Sequence, residues 1–147
     1  MSTLAKAPLP LLEERIQTLT GLPDYGFLRS PEIGLAMVRG RTEGTGQPFN
    51  LGEMTITRCV VQLSPADDGQ GKGEAIAGFG YVAGRSQRHA ELAALCDALL
   101  QHPDWQSTVQ AQVIEPLQAA AEEMRVAQAA EVESTRVNFF TLLRGEG

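Results

Sequence analysis

At 147 residues, with 43% apolar and 20% charged side chains, the chain has the size and composition of one ordinary globular domain that buries a core without metals or disulfide staples, and it lies outside the disordered class. Its 12 basic and 18 acidic residues leave a formal charge of -6, which argues against nucleic acid or an anionic membrane as the main partner. No apolar run approaches the roughly 18 residues of a membrane span, and the first residues lack a charged-then-apolar signal pattern, so the expected compartment is the cytoplasm.

Leu11, Leu12, Ile16 and Leu19 fall at helical spacing, and a short amphipathic helix is predicted from Pro10 to Leu22, closing around Gly21 and suited to docking. Tyr25 to Ser30 and Ile33 to Arg41 read as two strands joined tightly around Pro31-Glu32, a hairpin. The glycine-rich stretch Arg41 to Pro48 leads to the clearest strand, Glu53 to Leu63, whose Met54, Ile56, Val60, Val61 and Leu63 are joined by the β-favouring Thr55 and Thr57. A loop rich in Asp, Gly and Pro follows from Ser64 to Gly73. The strand Ala75 to Gly84 then sets Ile76, Gly78, Gly80 and Val82 on one side and Phe79 and Tyr81 on the other. A strand face so bare of side chains implies that a helix or another backbone comes close.

From Ser86 the period becomes helical. Ser86 is the expected cap; His89, Leu92, Leu95 or Cys96, and Leu99 form one face that ends near His102-Pro103. A further helix starts at Asp104 with Trp105, Val109 and Val113, and Pro116 interrupts or restarts it by removing a hydrogen bond and crowding the preceding turn. Leu117, Ala120 or Ala121, Met124 and Gln128 continue a stripe to about Ser134. The tail after Thr135 is too apolar for a solvated terminus and is expected to pack on a partner through Arg136, Val137, Phe139, Phe140, Leu143 and Arg144. The expected fold class is α+β: one domain over 1–147, an antiparallel sheet of about four strands at 25–84, a short N-terminal helix, a helical region at 86–134 and the apolar docking tail at 135–147.

Familiar catalytic signatures are missing from the sequence, including the serine elbow, the P-loop and the paired-histidine zinc motif. Cys59 and Cys96 match no metal-ligand spacing and read as buried thiols, and two histidines poorly support a zinc site. Between Arg29 and Arg88 seven bases face six acids, so the middle of the chain is able to hold an anion. Gly44, Thr45 and Gly46 beside Arg41 form either an anion-cradling loop or a plain hairpin turn. Arg58, inside the best strand, has either a ligand or an acidic partner such as Glu91, or it snorkels. Arg85 and His89 lie one turn apart where a helix begins, a place that favours anions, although a lone histidine on an apolar face is commonly a core residue. An acid-base pair of His89 and Glu91 has only proximity in its favour, because positions two apart on a helix face different ways.

Taken in order, GLAMVRGRTEGTG, FNLGEMTITRCVVQL, GYVAGRSQRHAELAALCDALL and STRVNFFTLLRG resemble the G-subunit (PhnG) family of the carbon-phosphorus lyase core complex, and the resemblance covers nearly everything after Ile33. It implies a non-autonomous subunit working with the H, I and J subunits, the I subunit most directly. There the I subunit, assisted by G and H and an ATPase-like subunit, joins a phosphonate oxygen to the ribose anomeric carbon of ATP and releases adenine. The resemblance makes ATP a substrate of the complex, implies no cofactor on this chain alone, and matches no residue here to a catalytic role. Two readings follow: a chain that completes a nucleotide and phosphonate site through Arg41, Arg58, Arg85 and His89, or a structural clasp acting through its C-terminal helix and tail.

Overall fold

Gly78 and Gly80 are the points at which helix and sheet meet. The computed structural model of the chain describes residues 1–64 and 75–137. Three antiparallel strands, β1 (Tyr25–Arg41), β2 (Pro48–Leu63) and β3 (Ala77–Ala83), form one sheet in the order β1-β2-β3. Helix α3 (Gln87–Gln101) lies across one face of it. A Cβ on Gly78 would stand 2.1 Å from the Ala94 carbonyl oxygen and 2.4 Å from the Ala98 nitrogen, and one on Gly80 would stand 2.1 Å from the Ala90 carbonyl oxygen. Backbone atoms cannot yield by that amount. The two glycines and the alanines Ala90, Ala94 and Ala98, repeating every four residues along the facing helix, therefore set the approach of the two layers, as the bare strand face implied.

That closeness also settles the outer edge of β3. Asp97 Oδ2 accepts the Phe79 N–H at 3.0 Å, and Gln101 Nε2 donates to the Ala77 carbonyl at 3.0 Å. The core fills the space around α3. Thr57, Cys59, Val61 and Leu63 point inward from β2 and Val82 from β3. Leu92, Leu95, Cys96 and Leu99 share a cluster with Leu4 of α1 (Ser2–Lys6), Leu12 and Ile16 of α2 (Leu9–Gln17) and Val109 of α4 (Pro103–Val109). Ser86 caps α3 as expected, its hydroxyl accepting the His89 N–H at 3.2 Å. Both cysteines are buried thiols. Desolvation, with a smaller effect of Glu91, pushes Cys59 up to about 11, and burial, then Asp97, pushes Cys96 up to about 12; neither is a nucleophile near neutral pH.

The structure departs from the sequence reading in several places. The two strands expected on either side of Pro31 are one strand, so the sheet has three strands and not about four. β1 is an edge strand, where a missing N–H leaves no inner ladder bond unmade, and register shifts between Phe27 and Arg29 and between Arg29 and Glu32 absorb the irregularity. β2 begins at Pro48, because Pro48, Phe49 and Asn50 continue the ladder opposite Arg41, Gly40 and Arg39. The N-terminal helix ends at Gln17, where the Thr18 hydroxyl donates to the Arg15 carbonyl at 2.7 Å, and the separate helix α1 precedes it. Pro116 sits in the first turn of α5 (Glu115–Ser134), and the helix before it widens into a π turn (Gln110–Ile114) that makes room for the ring. Of the stripe expected on α5 only Leu117 is buried; Met124 is 51% exposed, and Val126 and Val132 more so. No helix among the described residues is long and apolar enough to cross a membrane.

Adding a methyl group at the helix–sheet contact should be costly. Gly80→Ala is expected to lower unfolding free energy by about 2 kcal/mol or more, read as a drop in the urea midpoint, whereas Tyr81→Ser on the opposite face of the same strand should cost less than about 1 kcal/mol.

Candidate functional site

The side of the sheet away from α3 carries no second layer among the described residues. Across it run Phe79 and Tyr81 of β3, each about half exposed, and Met54, Ile56, Arg58 and Val60 of β2. Arg58 stands directly opposite Glu32 on β1 and Tyr81 on β3. Its Nε donates to Glu32 Oε1, and Arg29 Nη1 donates to the same oxygen at 2.7 Å. Glu32, and not Glu91, is therefore the acid that answers Arg58. Sequence reasoning missed it because dividing β1 at Pro31 removed Glu32 from the ladder. Glu91 is occupied elsewhere: Tyr25 Oη donates to its Oε1 at 2.6 Å, and Arg88 Nη1 lies 3.1 Å from Oε2. Burial, then that bond to Glu91, raises the Tyr25 hydroxyl above its ordinary range.

Past the N-terminus of α3 the sheet narrows. β3 pairs with β2 only from Ile56 to Gln62, so Leu35 to Arg41 and Pro48 to Thr55 continue as a two-stranded ribbon. On the helix side, continuing from Ile33, it presents Leu35, Met37 and Leu51, with exposures of 64% at Leu35 and 68% at Leu51, while Phe49, paired with Gly40, is on the opposite side. Phe49 lies over Gly40, its Cζ 3.3 Å from where a Cβ would be. Isolated two-stranded ribbons are marginal in water, and this one shows large apolar side chains to solvent among the described residues.

The predicted anion residues do not converge. Arg41 and Gly44-Thr45-Gly46 form the ribbon tip, seven residues along β2 from Thr55, or roughly 23 Å at about 3.3 Å per residue. There Gly44 has a φ of +77°, and Gly46 donates its N–H to the Thr42 carbonyl at 2.9 Å in a space too tight for a Cβ. A tight turn thus accounts for both glycines. Arg85 is exposed and follows Gly84, whose N–H donates to the Thr55 carbonyl at 2.9 Å, so it sits at the root of the ribbon. His89 faces inward with its Nε2 2.7 Å from the Leu4 carbonyl, a contact that makes Nε2 the protonated nitrogen and ties α1 to α3. Among the described residues, Arg39, Arg41 and Arg85 have no acidic partner. Of the tail residues, Arg136 bonds Glu133 at 3.1 Å and Val137 is exposed, while Phe139, Phe140, Leu143 and Arg144 lie outside the described residues.

Fold and surface together define an α+β protein that, among the described residues, shows more apolar surface than its helices cover. The family model for "Phosphonate metabolism protein PhnG" matches residues 1–145. Over 149 residues the chain is 40% identical to the alpha-D-ribose 1-methylphosphonate 5-triphosphate synthase subunit PhnG of Rhizobium meliloti (strain 1021), covering 99% of this chain and 87% of that protein. The chain belongs to the PhnG family of phosphonate metabolism proteins.

The Arg29-Glu32-Arg58 cluster carries a pH signature. The bond from Arg58 first, and that from Arg29 second, hold the Glu32 carboxyl below its ordinary value of 4.5. A lowered folded value means stability that is present above pH 4.5 and lost as pH falls through the folded value. Thermal melts should therefore show Glu32→Gln less stable than wild type at neutral pH, with the two curves converging in acid.

Proposed function

We propose that the chain is a non-autonomous subunit of an alpha-D-ribose 1-methylphosphonate 5-triphosphate synthase, acting in organic phosphonate catabolism within the carbon-phosphorus lyase core complex. The uncovered sheet face and ribbon are the observation behind this reading, since surface of that kind calls for partner chains, and the 40% identical relative is named as a subunit of that synthase. The partners are the H, I and J subunits, with the I subunit met most directly, in the cytoplasm.

In the reaction, a methylphosphonate oxygen forms a bond to C1 of the ATP ribose, the C–N bond to adenine breaks, and adenine leaves with a proton. The nucleophile belongs to one substrate and the leaving group to the other. The protein's task is to orient two anions and offset their charge, which guanidinium groups do well. ATP is a substrate of the complex, and this chain alone holds no cofactor.

Within this reading Arg85 is the best-placed candidate contact, exposed beside the ribbon root and without an acidic partner among the described residues. Arg41, at the far end of the ribbon, belongs to a different contact. The alternative, a purely structural subunit, has its own observation: Arg58 is already paired with Glu32, and His89 is bonded to Leu4.

Adenine release from ATP and methylphosphonate by reconstituted subunits separates the two. Release should depend on this chain, and Arg85→Ala in complexes of normal composition should raise a substrate KM about tenfold or more, the loss of one charge-assisted hydrogen bond. Unchanged KM and kcat in intact Arg85→Ala complexes would leave the structural role as the answer.

A further inference from the structure

We infer that the free edge of β1 from Ile33 to Arg41 accepts an extended strand from a different subunit of the synthase, adding a fourth strand to the ribbon side of the sheet. The inference rests on the subunit reading and names the surface that reading uses.

Sheet edges invite pairing, and proteins blunt them unless they are used. Elsewhere in this sheet the blunting is visible. Asp97 and Gln101 satisfy backbone groups along the outer edge of β3. The first half of β1 is broken by Pro31 and two register shifts, and Gln87 Nε2 donates to the Pro31 carbonyl at 3.3 Å. From Ile33 to Arg41 neither device operates. The ladder with β2 is regular from Glu32 to Val38 and resumes at Arg39 after a bulge that lies in β2, while the outer edge of β1 has no ladder partner among the described residues.

The side chains specify what kind of strand fits. Ile33, Leu35 and Met37 alternate with Gly34 and Ala36, so one face is apolar and large and the other nearly flat. Arg39 and Arg41 follow on the large face without acidic partners among the described residues. A complementary strand therefore carries apolar residues at alternate positions and acids opposite the two arginines. A second copy of this chain does not meet that description. Paired antiparallel about a two-fold axis, β1 would set Arg39 and Arg41 against apolar or basic residues, because Ile33 to Arg41 contains no acid.

Amide hydrogen exchange on the wild-type chain, free and reconstituted with the remaining core subunits, decides the matter. On assembly, amides within Ile33 to Arg41 should slow by at least about a hundredfold. The double variants Leu35→Lys/Met37→Lys and Arg39→Glu/Arg41→Glu, checked for folding by circular dichroism, should bind the other subunits at least about tenfold more weakly. Gln106→Ala, at an exposed position of α4 away from this edge, should bind more tightly than either. Unchanged exchange in a formed complex overturns the inference while the subunit reading stands. So does protection already present in a homodimer of the free chain. Failure of the wild-type chain to assemble with any synthase subunit overturns the subunit reading itself.

Discussion

The rest of the structure depends on the backbone contact between α3 and the glycines of β3. Once Gly78 and Gly80 admit Ala90, Ala94 and Ala98 at that distance, the helix is low enough on the sheet for Asp97 and Gln101 to reach around the edge strand, and for Leu92, Leu95 and Leu99 to gather the N-terminal helices above it. Small residues thus do two jobs. They maximise dispersion contact where the layers meet, and they fix the height from which longer side chains act.

Burial is correspondingly lopsided. Nearly every large apolar residue of α1 to α4 serves one core on one side of a three-stranded sheet, and the other side, the ribbon and most of α5 have nothing comparable over them among the described residues. A three-stranded sheet with a single helical layer is adequate for folding, but the ribbon lies beyond that layer. In the strand-addition proposal its apolar side chains are one half of an interface whose other half is another polypeptide.

Much of this was legible in the sequence where local chemistry decides the outcome. The bare face of Gly78 and Gly80, the Ser86 cap, the buried thiols and the C-terminal helices each follow from residues a few positions apart. Pro31 misled because its effect depends on whether its strand is central or at an edge, which is a property of the whole sheet; a strand that continues past it through a register shift brings Glu32 opposite Arg58 and leaves Glu91, the expected partner, to Tyr25 and Arg88. That His89 turns inward was one of the two readings its apolar helix face allowed, but its partner Leu4 was out of reach, since it belongs to a helix at the far end of the chain. Glycines in the Gly44-Thr45-Gly46 loop carried two meanings, and positive φ at Gly44 with tight contact at Gly46 accounts for both residues.

The two thiols give the fold a clock of its own. Cys59 lies between sheet and helix and Cys96 within the helix, both fully shielded and both held mostly protonated well above neutral pH. A thiol-modifying reagent meets them only when α3 lifts from the strands, so at reagent concentrations where modification outpaces reclosing the labelling rate reports the frequency of that event and not the reactivity of the sulfur. The native layers are in this sense chemically timed, with one reporter on each side of the contact that holds them together.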